Sequence, residues 1–315
     1  MSDENKSIVT VKPPTTHKDQ VQILKSRGLI FADEEKAAEI LEYTNYYRLR
    51  GYYIHLLKDG SDDFRENVTF EQILALHDFD NELRNLLLRL LLDIEIVART
   101  RIAYVIAHQW GSMGYRDEIN YGGADHNKFE ELMSRIDDDL GKSRERFIKT
   151  YNQKYAGQFP IWVAVEVMSF GDLSKLYHLI PTSLKKKISA AYNGLDESLL
   201  TNWIQCSAIL RNLCAHNSRI YARNIPIPIK IETNVQAEIG KATKGKFQAK
   251  PQTLFSYLLA IKRISNPSIW NSFVDDFERL IQKYGSTVEP IRLGMPYQWK
   301  QFLSTKYEKG SSGIF

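Results

Sequence analysis

One short segment of this sequence concentrates side chains that suit phosphate chemistry. Residues 210–223 contain three arginines and one histidine. On a helix, which turns about 100° per residue, the polar members form one narrow stripe, at Asn212, His216, Arg219 and Arg223. The apolar residues of this segment and of the two turns before it fall on the other side, at Trp203, Cys206, Leu210, Leu213, Cys214, Ile220 and Tyr221. The spacing predicts an amphipathic helix through Arg223, with Arg211 beside its polar face.

This polar stripe carries the groups that a metal-independent RNA cleavage needs. Histidine has an ordinary pKa of about 6.5, so it can take and give protons at neutral pH. Arginine binds two phosphate oxygens with a planar fork, and RNA brings its own nucleophile, the 2′-hydroxyl. An alternative stays open: the segment is a helix C-terminus whose cations lie against the macrodipole, with His216 bound to a backbone carbonyl.

The residues Arg211-Asn212-Leu213-Cys214-Ala215-His216 resemble the R-x4–6-H signature of HEPN ribonucleases. The surrounding chain resembles the Abi-like proteins of the AbiD/AbiF group, which are bacterial abortive-infection proteins. The resemblance covers roughly residues 15–303, and its other blocks are QILKSRGL (22–29), NYYRLRGY (45–52), IEIVART (94–100), PIWV (160–163), FGDL (170–173) and GMP (294–296). The family usually has a second histidine where this chain has Asn217.

The resemblance implies an RNA endonuclease of phage defence. His216 would act as general base or acid, Arg211 would stabilise charge on the phosphate, and Asn212 would hold His216 or a phosphate oxygen. The helix that carries Glu95 and Arg99 would run against the motif helix, so these two residues would orient the site. HEPN proteins commonly dimerise, and a homodimer would bring two histidines to one cleft. The products would carry 2′,3′-cyclic phosphate and 5′-hydroxyl ends.

Two other functions remain open at this stage. The same surface suits an RNA-binding module that holds a structured partner non-coding RNA with little or no cleavage. A structural interaction protein without nucleic acid is the third interpretation. The sequence contains no P-loop, no dinucleotide-binding glycine motif and no metal-ligand spacing, so we expect no cofactor and no metal.

The composition is that of a soluble globular protein. The chain has 315 residues, 43% hydrophobic and 25% charged, with a net charge of only +4. RNA binding must therefore come from local basic patches rather than from a uniformly basic surface. The two cysteines, Cys206 and Cys214, are expected to be reduced thiols in the core. The sequence shows neither a leader nor a membrane-spanning run, which favours a cytoplasmic protein.

Several basic patches are candidate RNA contacts, although each also suits an ordinary solvated surface. They are Lys142, Arg144, Arg146 and Lys149; Lys241, Lys244 and Lys246; Arg219 and Arg223; and Arg48 and Arg50. The last two lie in a tyrosine-rich stretch at 45–53, whose rings suit either base stacking or packing between helices.

The periodicity predicts an all-α fold with an N-terminal helical extension at 1–65. The resemblance implies that the helical domain at 66–315 is a bundle of HEPN type. Thr15 or Thr16, Asp33 and Asp196 are predicted to cap helices, and residues 69–110 form the longest one. Residues 225–231 alternate with prolines and predict a short extended segment. Residues 236–252 predict a mobile basic loop, and the first dozen residues predict a loose polar tail.

Overall fold

The structure is a computed structural model that describes residues 13–304, so the predicted loose tail lies outside the described residues. Fourteen α-helices and several short 3-10 turns account for the regular structure of this range. No β-strand occurs between residues 13 and 304, where only two isolated bridges pair residues in extended conformation. The predicted all-α fold class is therefore confirmed.

The chain divides into two compact units, with the division between Phe79 and Asp80. The first unit contains α1 (His17–Ser26), α2 (Glu34–Tyr43), α3 (Tyr46–Tyr53) and the first turns of α4 (Phe70–Trp110). Thr16 caps α1 with a reciprocal capping box, and Asp33 accepts a hydrogen bond from the N–H of Lys36 to cap α2. Both caps match the sequence prediction. The predicted boundary after residue 65 lies within this first unit.

The tyrosine-rich stretch of the first unit is a packing element in its second half, whereas Tyr46 is half-buried and Tyr47 is exposed. Tyr52 and Tyr53 are buried, which confirms the packing interpretation for these two rings. The cations beside them have partners: Arg48 Nε lies 3.4 Å from His77 Nε2, and Arg50 forms an ion pair with Asp62 at 3.1 Å. Both arginine side chains are half-buried.

The second unit contains the rest of α4 and ten further helices. These are α5 (His126–Lys142), α6 (Arg146–Lys154), α7 (Ile161–Val167), α8 (Phe170–Leu179), α9 (Thr182–Ala190), α10 (Glu197–Ala215), α11 (Thr233–Ala242), α12 (Leu254–Ile264), α13 (Pro267–Tyr284) and α14 (Trp299–Leu303). Helix α10 packs against α8, α9 and α12, so the motif segment lies on a central element of this unit.

The long helix predicted at 69–110 is confirmed as α4, which has 41 residues and is therefore about 60 Å long. Its leucine-rich middle is buried at positions 83, 87, 90, 91 and 94. Because leucine loses little rotamer freedom in a helix, this run favours helix formation and packing at once. No helix among residues 13–304 is long and apolar enough to span a membrane.

The prediction of a basic loop at 236–252 is wrong for its first part, because α11 extends to Ala242. Ile239 is fully buried, and the hydroxyl of Thr243 donates to the carbonyl of Ile239 at 2.8 Å. This buried side chain anchors α11 on the unit, although the rest of the helix is mostly half-buried or exposed. Residues 225–231 are neither helix nor strand: the N–H groups of Ile225 and Ile229 donate to carbonyls at residues 252 and 251.

Candidate functional site

Helix α10 begins at its predicted cap, Asp196, which accepts hydrogen bonds from the N–H groups of Ser198 and Leu199. Its apolar face is buried, as the spacing predicted, at Trp203, Cys206, Leu210 and Cys214. Both cysteines are free thiols, as predicted. Burial raises the pKa of Cys206 to about 11 and that of Cys214 to about 12.

The helix ends at Ala215, so the prediction of one helix through Arg223 is wrong. Ser218 N–H donates to the carbonyl of Leu213 at 2.8 Å, and Asn217 N–H donates to that of Cys214 at 3.2 Å. These two bonds are those of a Schellman motif. Asn217 is in the left-handed region with φ 53°, where asparagine is tolerated better than most residues. The chain therefore turns away directly after His216.

Since the helix stops early, Arg219 and Arg223 do not share a helical stripe with His216. Arg219 Nη1 donates to the carbonyls of Tyr221 and Ala222, the latter at 2.8 Å. Arg223 Nη1 donates to the carbonyl of Arg219 at 3.4 Å. These guanidinium groups bind carbonyls of the turn that follows the helix, and the end of the helix at Ala215 is the physical reason that they leave the predicted stripe.

His216 occupies the C-cap position of α10, and its side chain is exposed to solvent. Only its backbone is held: the N–H donates to the carbonyl of Asn212 at 2.9 Å. The imidazole makes no hydrogen bond with a backbone carbonyl among residues 13–304. This contradicts the interpretation of His216 as a residue bonded to a carbonyl, and the side chain is exposed to solvent.

Arg211 lies in a buried cluster with two residues of α4. Glu95 Oε2 accepts from Arg211 Nε at 2.9 Å, and Glu95 Oε1 accepts from Arg211 Nη2 at 3.0 Å. Arg99 lies 2.6 Å from the same Oε1 and donates to the carbonyl of Met168, which follows α7. The structure thus places both α4 candidates beside the motif arginine. We call this group the Arg211–Glu95–Arg99 cluster.

The sequence predicted that Glu95 and Arg99 pair on the helix surface, but the carboxylate of the pair is buried and the guanidinium is half-buried. Glu95 is only 2% exposed, because α10 and the segment after α7 cover it. Two guanidinium groups around one carboxylate leave a net charge of +1. Since a low-dielectric environment strengthens electrostatic attraction, this cluster favours an anion at its accessible edge.

The accessible edge belongs to Arg211, whose side chain is 23% exposed. Its Nη1 also donates to Asn212 Oδ1 at 2.9 Å. Three of the five N–H donors of the guanidinium are therefore bound to Glu95 and Asn212, and two remain for a ligand. Asn212 keeps its amide nitrogen, which can donate as well.

Asp80 is a buried residue of this region that the sequence prediction missed. Its Oδ1 accepts from the N–H groups of Ile220 at 3.0 Å and Tyr221 at 2.7 Å, and its carboxylate pairs with Arg84 on the same helix. Asp80 and Arg84 are 0% and 3% exposed. Asp80 thus anchors the segment that follows His216. An i,i+4 charge pair inside a leucine-rich helix was the signal available in the sequence.

The other predicted RNA contacts lie on surfaces apart from the cluster. Lys142, Arg144, Arg146 and Lys149 are exposed at the end of α5 and the start of α6. Lys142 forms a 3.4 Å ion pair with Asp138. Lys241, Lys244 and Lys246 are exposed at the end of α11 and in the turn after it.

Potential metal ligands also lie outside the cluster. In the described range, ligand atoms of Glu118, His126 and Glu130 lie within 4.8 Å of one another. His126 Nδ1 is 2.9 Å from Glu118 Oε1, and this hydrogen bond raises the pKa of His126. Glu118 is half-buried, whereas the other two side chains are exposed.

Comparison with known proteins gives one result. The family described as "Abi-like protein" matches residues 39–222, which is more than half of the chain. The match includes α10, α4 and therefore every residue of the Arg211–Glu95–Arg99 cluster. No curated protein and no solved structure matches the chain.

Proposed function

We propose that this protein, which belongs to the Abi-like family, is a HEPN-type RNA endonuclease that acts in bacterial phage defence by abortive infection. The observation that carries the proposal is the Arg211–Glu95–Arg99 cluster. It joins the motif arginine of α10 to the buried Glu95 and the half-buried Arg99 of α4, while His216 stays exposed at the end of the same helix. A fixed cationic group thus accompanies an accessible acid–base group.

In this function the 2′-hydroxyl of RNA attacks the adjacent phosphorus, and no metal ion is needed for the step. His216 takes the proton from the 2′-hydroxyl or gives one to the leaving 5′-oxygen. Arg211 donates its two remaining N–H groups to the phosphate oxygens, where charge increases in the transition state. The products carry 2′,3′-cyclic phosphate and 5′-hydroxyl ends.

Glu95 and Arg99 act as positioning residues in this proposal. The bidentate contact of Glu95 fixes the plane of the Arg211 guanidinium, and Arg99 ties Glu95 to the carbonyl of Met168. Asn212 holds Arg211 through its carbonyl oxygen, so its amide nitrogen is the group that meets the phosphate. Asn217 takes the position of the family's second histidine, and both residue types tolerate its positive φ.

One histidine per motif cannot be base and acid in the same concerted step. We therefore propose a homodimer in which two copies of α10 face one cleft across a two-fold axis. Mixing wild-type protein with an excess of His216→Ala should lower activity more than dilution does, because heterodimers hold half a site. A strictly proportional fall, from a protein that sediments as a monomer, would contradict the shared site.

The test of the function is cleavage of mixed RNA by purified protein in EDTA. His216→Ala should lower the rate by about 10²–10⁴-fold, the range of general acid–base catalysis, with helicity and RNA binding retained because His216 is exposed. His108→Ala is the matched control: His108 is also exposed, and it follows Arg101 at a spacing that fits the loose motif. Equal rates for both variants would refute the assignment of His216.

A second function, an RNA-binding module that holds a structured non-coding RNA, is favoured by one observation. Both carboxylate oxygens of Glu95 bind Arg211, which suits a structural arginine as well as a catalytic one. Intact RNA that co-purifies with the protein, combined with no cleavage in EDTA, would support the module and reject the nuclease.

A further inference from the structure

A pocket of about 350 Å³ lies between α5, α6 and the segment that precedes α7, within the size range of small-ligand sites. Its walls are partly apolar, because the buried side chains of Leu140, Ile148 and Phe159 line it. Its polar groups include Asn152, Lys149 and the ion pair of Arg116 with Asp137, whose atoms lie 2.7 Å apart.

The polar groups of this pocket are not fully used by the protein. Within residues 13–304, the side chains of Asn152 and Lys149 make neither a hydrogen bond nor an ion pair. Arg144 and Arg146, which are close to Lys149 in sequence but do not line the pocket, are exposed and have no ion-pair partner in the described chain. An apolar wall, an unused amide and a lysine without an ion-pair partner in the described chain therefore meet at one pocket.

We propose that this pocket binds one nucleotide of an RNA strand, with the base between the apolar walls and the phosphate at Lys149. A base has apolar faces and a polar edge, and the Asn152 amide offers that edge both a donor and an acceptor. The phosphate is attracted by Lys149 and the neighbouring arginines. A bare phosphate would leave the apolar walls unused, and an apolar ligand would leave the cations unused.

The inference rests on the proposed function in one respect: it takes the nucleotide to be part of an RNA strand. The pocket shares no residue with the Arg211–Glu95–Arg99 cluster, so it would bind a nucleotide away from the cleaved bond. It would thereby give the enzyme contact with an unpaired nucleotide of its substrate, since a base can enter such a pocket only when it is unstacked.

Isothermal titration of the wild-type protein with 5′-nucleoside monophosphates, the matching nucleosides and inorganic phosphate tests this site. At least one nucleoside monophosphate should bind about tenfold or more tightly than either phosphate or its own nucleoside. Lys149→Gln should remove the advantage of the monophosphate over the nucleoside, whereas Lys154→Gln, one and a half turns further along α6, should not.

A charge-matched pair of variants tests the base contact. Asn152→Asp should weaken monophosphate binding by about tenfold or more, because it places a carboxylate in the pocket. Gln153→Glu adds the same charge at the next, exposed position, which does not line the pocket, and should have a much smaller effect. Equal effects of the two variants would show that only the overall electrostatic field of the surface affects nucleotide binding, and would overturn the proposal.

Two further results would also overturn it: phosphate binding as tight as nucleotide binding, or no binding of any nucleotide. Neither result depends on cleavage, because mononucleotides are not cut. If RNA is cleaved but nucleotides do not bind, the pocket inference fails alone. If nucleotides bind but RNA is not cleaved, the proposed nuclease fails and the pocket stands.

Discussion

Replacing Glu95 with Gln should lower the free energy of unfolding more than the same substitution of a glutamate on the surface does. The substitution keeps the size of the side chain but removes the charge that faces Arg99 and Arg211. A glutamine side chain has one acceptor oxygen, whereas a carboxylate has two. Its NH₂ group must therefore face the N–H of a guanidinium, and the two donors cannot form a hydrogen bond. Removing one member of a buried ion pair costs roughly 3–5 kcal/mol.

The exposure of the two arginines sets the magnitude. Their side chains are 16% and 23% exposed, so water can solvate part of the charge that Glu95 leaves. We therefore expect the lower end of the range, about 3 kcal/mol of unfolding free energy. For a chain of this size that corresponds to a fall in Tm of about 5 °C.

Urea and thermal unfolding of Glu95→Gln and Glu82→Gln provide the measurement and its control. Glu82 lies on the same helix and also forms an ion pair, with Lys283 at 2.7 Å. Its side chain, however, is 42% exposed. An exposed ion pair contributes under about 1 kcal/mol. The two substitutions are chemically identical, so the difference between them reports the effect of burial.

A double-mutant cycle with Arg211→Met isolates the contact itself. The double variant should be about 2 kcal/mol more stable than the sum of the single effects predicts, because both charges of the contact are then absent. A coupling below about 0.5 kcal/mol, or an equal loss in Glu95→Gln and Glu82→Gln, would refute the reasoning. Glu95→Gln should also lose RNA cleavage at a temperature where it is fully folded.

Three further predictions follow from other parts of the structure. Cys206 and Cys214 should resist iodoacetamide at pH 8 in the folded protein and react in urea; for Cys206, a rise of the pKa from 9.0 to about 11 lowers the thiolate fraction about a hundredfold. Asn217→Val should lower the unfolding free energy by about 1–2 kcal/mol, whereas Asn217→Gly should not, because only glycine adopts positive φ without strain; equal urea midpoints would contradict this. Replacing Lys241, Lys244 and Lys246 with Gln should reduce the slope of log K for RNA binding against log salt concentration by up to about 2, without moving the cleavage positions. An unchanged slope in filter binding would show that these lysines do not contact RNA.

The features that the sequence predicted are those that depend on near neighbours in the chain. The caps Thr16, Asp33 and Asp196 each bind N–H groups two or three residues away, so their residue types are enough to identify them. The long helix α4 follows from its continuous leucine-rich pattern. The pairing of Glu95 with Arg99 follows from their i,i+4 spacing.

The same local reasoning failed where a single distant contact decides the structure. Residues 236–252 looked like a loop because they contain four lysines, two glycines and few apolar residues, yet residues 236–242 belong to α11, where Ile239 is buried. The end of the motif helix was also missed. Its Schellman turn uses Asn217 rather than glycine, and Asp80 then fixes the chain from 140 residues away.

The sequence by itself thus determined the all-α class, the position of the motif on an amphipathic helix and the burial of its apolar face. Only the tertiary structure decided that Glu95 is buried against Arg211, that His216 stays exposed at a helix end, and that Arg219 and Arg223 turn away from it. The physical reason is the range of the interactions. Helix periodicity and capping act within about one turn, whereas the contact of Arg211 with Glu95 joins residues 116 positions apart, and no local preference encodes it.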